Sequence, residues 1–67
     1  MDKMVKAQDV RVGDRLYDNR QWNWLHRWPM VTNIEQIAAG RVAFNTTGRL
    51  FVEKAEHPLL VKRALTT

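Results

Sequence analysis

The chain contains no cysteine in 67 residues. Disulfides, Cys-ligated zinc and thiol catalysis are therefore excluded. Glycine occurs three times and proline twice, too few for a Gly-rich phosphate cradle or a Pro-rich recognition tract. Gly13, Gly40 and Gly48 stand apart from one another, each where a turn is expected. Uncharged stretches such as 29–34 are short and hold polar residues, well below the ~20 apolar residues of a membrane-spanning helix. The opening Met1-Asp2-Lys3-Met4-Val5-Lys6 alternates charge with apolar residues and lacks the apolar centre of an export signal. A cytoplasmic location with no membrane partner is the expectation, and the glycosylation-like Asn45-Thr46-Thr47 is read as a polar turn. Acidic residues are the minority, seven against eleven Lys and Arg for a net charge of +4. Such a balance favours an acidic partner.

What is present suits one small domain. Hydrophobic residues make up 45% and charged residues 27%, proportions of a globular chain with a modest core. Between Arg41 and Lys54 the pattern predicts a hairpin. Taking Thr46-Thr47-Gly48 as its loop, with Gly48 in a left-handed conformation, sets Phe44 opposite Leu50 and Val42 opposite Val52 on the core face. The same register sets Arg41 against Glu53 and turns Phe51 outward.

Upstream, Val10, Val12 and Leu16 share parity around a Gly13-Asp14 turn. Downstream, Leu59 to Arg63 follow Pro58, which disfavours a helix at His57 and starts a fresh strand. The stretch from Trp28 to Ala38 admits two readings. Thr32-Asn33-Ile34-Glu35 matches a capping box, yet the helix would have only about seven residues, too short to persist on propensity. A strand is the preferred assignment. Five strands then fall at roughly 10–16, 28–37, 41–46, 49–54 and 59–63, an all-β pattern expected to close on itself.

This order of a first strand, a long loop from Tyr17 to Arg27, tight turns at Ala39-Gly40 and Thr46-Thr47-Gly48, a short link Lys54 to Pro58 and a last strand resembles the SH3-like small barrel over about residues 8–64. The resemblance implies a five-stranded barrel. SH3 domains that bind proline-rich peptides carry acidic residues in that loop; here Tyr17 and Asp18 give way to a basic, Trp-rich run. A second likeness, of Val12-Gly13-Asp14-Arg15-Leu16 and His57-Pro58 to fragments of the self-splicing intein and hedgehog fold, lacks the Cys, Ser or Thr nucleophile that splicing needs, so splicing is not expected.

Charge is distributed unevenly. Residues 19–51 hold Arg20, Arg27, Arg41 and Arg49 against Glu35 alone. Arginine presents a planar fork of donors that matches phosphate and stacks on flat rings. All three tryptophans, Trp22, Trp24 and Trp28, lie in the same basic loop. Trp28, beside Pro29, is expected to serve as core or lid, whereas Trp22 and Trp24 are expected to face solvent. A base stacked on an aromatic ring gains ~1–3 kcal/mol. The two histidines, His26 and His57, are far apart and belong to no triad or metal-ligand spacing. No enzyme activity, cofactor or metal is therefore expected.

Two functions compete. In the first, a small barrel binds nucleic acid through Arg15, Arg20, Trp22, Trp24, Arg27, Arg41 and Arg49. In the second, the same Arg and Trp side chains anchor a protein partner, as in a small bacteriophage-type regulator of a larger host or viral protein. Self-association is a further expectation, because a chain this short buries little surface alone and Phe51 and Leu60 point away from the expected core.

Overall fold

A computed structural model describes residues 2–20, 23 and 26–63. Six strands form in chain order: β1 (Asp2–Lys6), β2 (Arg15–Leu16), β3 (Val31–Ile37), β4 (Arg41–Thr46), β5 (Phe51–Lys54) and β6 (Pro58–Lys62). A 3₁₀ turn, Ala7–Asp9, follows β1, and the described residues contain no α-helix. The strands make two antiparallel three-stranded sheets, β1-β6-β2 and β3-β4-β5.

The all-β expectation holds, but the closed five-stranded barrel does not form. The sheets meet at two corners instead. At one, Arg15 bridges Met30, Leu16 N–H donates to the Pro29 carbonyl at 3.0 Å, and Val31 N–H donates to the Asp14 carbonyl at 2.8 Å. At the other, the Ala7 and Gln8 amides donate to the His57 and Ala55 carbonyls, each at 2.9 Å. Both sheets contribute to one core of Ala7, Val10, Leu16, Val31, Val42, Phe44, Phe51 and Val61.

The hairpin differs from expectation by one residue. Phe44 faces Phe51, Ala43 faces Val52, Val42 faces Glu53 and Arg41 faces Lys54. A slip of one position exchanges the two faces of a strand. Phe51 is consequently buried, while Leu50 and Val52 are exposed. The cause lies outside the hairpin. Thr46 is paired with Val31 of β3, and Thr47 exchanges two bonds with Met30, donating its N–H to the carbonyl and accepting the Met30 N–H on Oγ1. With these threonines tied to β3, the return strand re-registers so that the larger Phe51 fills the core. The expected Arg41–Glu53 pair is lost: Glu53 Oε1 lies 3.8 Å from His57 Nε2 instead.

Gly48 does not take the left-handed conformation expected of it; that role falls to Gly13 (φ 97°) and to the consecutive Ala39 (φ 64°) and Gly40 (φ 66°). What Gly48 provides is room, since a Cβ there would stand 3.1 Å from Cβ of Pro29. The turn at Gly13 also breaks the expected first strand, reducing it to Arg15–Leu16 and leaving Val12 exposed. β1 was not expected at all. It lies beside β6 with Met4 opposite Leu60 and Val5 opposite Leu59. Leu60 does point away from the core, on the face opposite buried Val61.

Candidate functional site

Leu16 and Val61 face each other across β2 and β6, and neither has measurable exposure. Because side chains alternate along a strand, the flanking Arg15, Tyr17, Leu60 and Lys62 are turned to the outer side. Arg15 stands directly opposite Lys62. Two like charges in that position repel, and the surroundings accommodate both. Arg15 Nη1 donates to the Trp28 carbonyl at 3.0 Å. Lys62 Nζ sits 4.6 Å from the centre of the Trp28 ring and 3.6 Å from Asp2 Oδ1.

Tyr17 completes the group. Its N–H donates to the Leu60 carbonyl, which continues the β2·β6 pairing by one residue. Its ring meets Trp28 edge to face, centroids 5.3 Å apart at 61°, a favoured geometry for two aromatic quadrupoles. Trp28 is half-buried, in keeping with a lid, while Tyr17 remains 39% exposed.

Beside this surface lies an open cleft of about 210 Å³ whose lining includes Arg15, Asp18, His26, Trp28 and Thr47. Asp18 forms its wall and clasps the loop. Its carboxylate accepts the Arg20 N–H on Oδ1 and Arg49 Nε on Oδ2, both at 3.1 Å. Its own N–H donates to the Arg27 carbonyl at 2.7 Å. Asp18 thereby fixes both feet of the basic loop and the return hairpin. A second buried carboxylate, Asp14, is held by Arg63.

Of the expected contact residues, Arg15 lines the cleft, Arg49 reaches Asp18 through its side chain, and Arg20 and Arg27 meet Asp18 through their backbone N–H and carbonyl. Arg49 is largely committed within the molecule, since its guanidinium carbon also lies 3.7 Å from the centre of the Phe51 ring. Arg41 is remote from them; it lines a separate open cleft of about 370 Å³ with Val52, Glu53, Lys54 and His57. Trp22 and Trp24 lie outside the described residues. Sequence reasoning missed Tyr17 and Lys62 as members of this surface. Tyr17 shares parity with Arg15, which was a usable signal; Lys62 joins them only through the β2·β6 pairing.

Among the described residues, no three His, Asp or Glu side chains come together as a metal-ligand set, and no helix is long and apolar enough to cross a membrane. The chain matches no protein family, no curated protein and no solved structure.

Proposed function

We propose that the chain is a small nucleic-acid-binding module of SH3-like layout that contacts single strands through the outer corner of β2 and β6. Tyr17 and Trp28 offer ring surface to bases, and Arg15 and Lys62 take the phosphates. Arg20, Trp22, Trp24 and Arg27, which lie between Tyr17 and Trp28 in the sequence, are proposed to add further contacts. The observation that carries the reading is the facing Arg15–Lys62 pair beside the Tyr17–Trp28 aromatic contact. A phosphate lodged between two like charges converts a repulsion into two attractions, and neutralising phosphates also releases counterions. Both well-buried carboxylates, Asp14 and Asp18, are engaged by Arg63 and Arg49, so they do not oppose an incoming anion at the surface.

Fluorescence anisotropy with a labelled single-stranded oligonucleotide tests the proposal. Tyr17→Ala is expected to weaken binding by roughly tenfold, equivalent to the loss of one stacked base, while the lost contact with Trp28 lowers the thermal midpoint by about 5 °C and leaves the chain folded. Undetectable binding by the wild-type chain at low salt overturns it.

One observation favours the second reading, a protein-binding regulator. Met4 is 60% exposed and lies opposite Leu60 on the same outer face as Tyr17, a mixed apolar and cationic patch of the kind partner proteins bury. Retention of one specific protein from nuclease-treated lysate, together with no affinity for oligonucleotides, would establish that reading over the first.

A further inference from the structure

β1 is an outermost strand: its sheet runs β1-β6-β2, and no described strand pairs with its other side. An unpaired edge of this kind is a template for another strand. The residues along it, Asp2-Lys3-Met4-Val5-Lys6, have a property that a random edge lacks. Reversed and laid against itself about Met4, the strand is complementary in charge. Asp2 falls opposite Lys6 of the second copy, Lys3 opposite Val5, and Met4 opposite Met4.

From this complementarity we infer that two copies of the chain pair antiparallel through β1, about a two-fold axis at Met4, to give a continuous six-stranded sheet β2-β6-β1-β1-β6-β2. A two-fold interface must match itself in this way. Slipping the register by one residue sets Asp2 opposite Val5 or Lys3 opposite Lys6, slipping it by two sets Asp2 opposite Met4 or Met4 opposite Lys6, and in each case both charge pairs vanish.

The outer face supports the same register. Asp2, Met4 and Lys6 stand opposite Lys62, Leu60 and Pro58, and Tyr17 lies beside Leu60 through its backbone bond. In the paired sheet the row Tyr17, Leu60, Met4 runs straight into Met4, Leu60 and Tyr17 of the second copy. Met4, 60% exposed in the single chain, is covered by its own symmetry mate. In the next row Asp2, already 3.6 Å from Lys62, gains Lys6 of the second copy on its free side, so each carboxylate is flanked by two ammonium groups.

Five residues on each side make a small interface, below the ~1,200 Å² of standard complexes, so the dimer is weak, with a Kd of about 0.1 mM. The inference is independent of nucleic-acid binding and is tested without it. Sedimentation equilibrium across about 10 µM to 1 mM should show a mass rising from the 7.9 kDa monomer towards twice that value. Lys6→Asp alone makes the pairing residues uniformly acidic, and Asp2→Lys alone makes them uniformly basic. Each should weaken self-association about tenfold.

Mixing the two variants restores both charge pairs in a heterodimer and should restore dimerisation. Simple damage to the fold would not be repaired by mixing, and circular dichroism checks that each variant is folded. A monomer at every concentration overturns the inference, leaving the edge open to a strand of another chain. A dimer indifferent to both variants, or variants that mixing fails to rescue, overturns it as well by pointing to a different surface.

Discussion

Arg63 grips Asp14 with both arms of its guanidinium, Nε to Oδ1 at 2.9 Å and Nη2 to Oδ2 at 2.7 Å. The carboxylate also accepts the Arg11 N–H at 2.9 Å, so one buried side chain fastens the turn before β2 to the end of β6. Burial works against ionising Asp14. The hydrogen bonds from Arg63 and Arg11, helped by their charges, outweigh it and hold the carboxyl below its ordinary value of 3.8. The folded chain therefore binds this proton less readily than the unfolded chain. The stabilisation is complete above the unfolded value and drains away as pH falls through the lower folded one. The thermal midpoint should drop steeply below about pH 4, and Asp14→Asn should flatten that part of the curve. At neutral pH, Arg63→Ala should cost about 2–3 kcal/mol by urea unfolding, because it strands a buried charge.

Phe51 and Leu50 are neighbours with opposite fates, and substituting them distinguishes the two hairpin registers. Phe51→Ala is expected to cost about 3–5 kcal/mol, comparable to the whole stability of a domain this size, and to leave the chain largely unfolded at 37 °C. Leu50→Ala should stay within about 0.5 kcal/mol of wild type. Equal effects, or the reverse order, would restore the expected register.

Ala39 holds a positive φ of 64° without being glycine, a conformation that costs an L-residue roughly 1 kcal/mol. Ala39→Gly should raise stability by up to about 1 kcal/mol, part of the gain being offset by the greater freedom of glycine in the unfolded chain. The gain is read as a higher thermal midpoint with no change in oligonucleotide affinity.

Arg49 joins Asp18 to the Phe51 ring, so its removal is a structural lesion before it is a binding one. Arg49→Ala should destabilise by about 1–3 kcal/mol, with looser protection of the Asp18 and Arg20 amides in hydrogen exchange. Arg49→Lys should recover only part of this, since an ammonium cannot both donate along the Nε direction and lie flat on a ring.

Much of the architecture was legible in the residues themselves. The Ala39-Gly40 turn, the strand after Pro58 and the strand character of 31–37 follow from local chemistry, and each is present. The hairpin register was not legible, because adjacent Leu50 and Phe51 satisfy either alternation and the decision is made by Thr46 and Thr47 bonding to β3, some fifteen positions away. β1 was hidden for a different reason. It is an edge strand with four of its five residues exposed, so its few apolar residues do not mark a buried face. The arginines around the basic loop could be named from composition. Asp18 as their organiser, and Lys62 as the facing partner of Arg15, become visible only once the sheets are assembled.

The central claim, that Arg15 and Lys62 beside the Tyr17–Trp28 pair hold a nucleic-acid backbone, is met most directly by the salt dependence of single-strand binding. With about three phosphates neutralised, log K should fall against log salt with a slope near −2, since each single-strand contact contributes about −0.7. Lys62→Gln should reduce the magnitude of that slope by about 0.7 while leaving the chain folded. A slope near zero, or one that Lys62→Gln and Arg15→Gln both leave unchanged, would contradict the account.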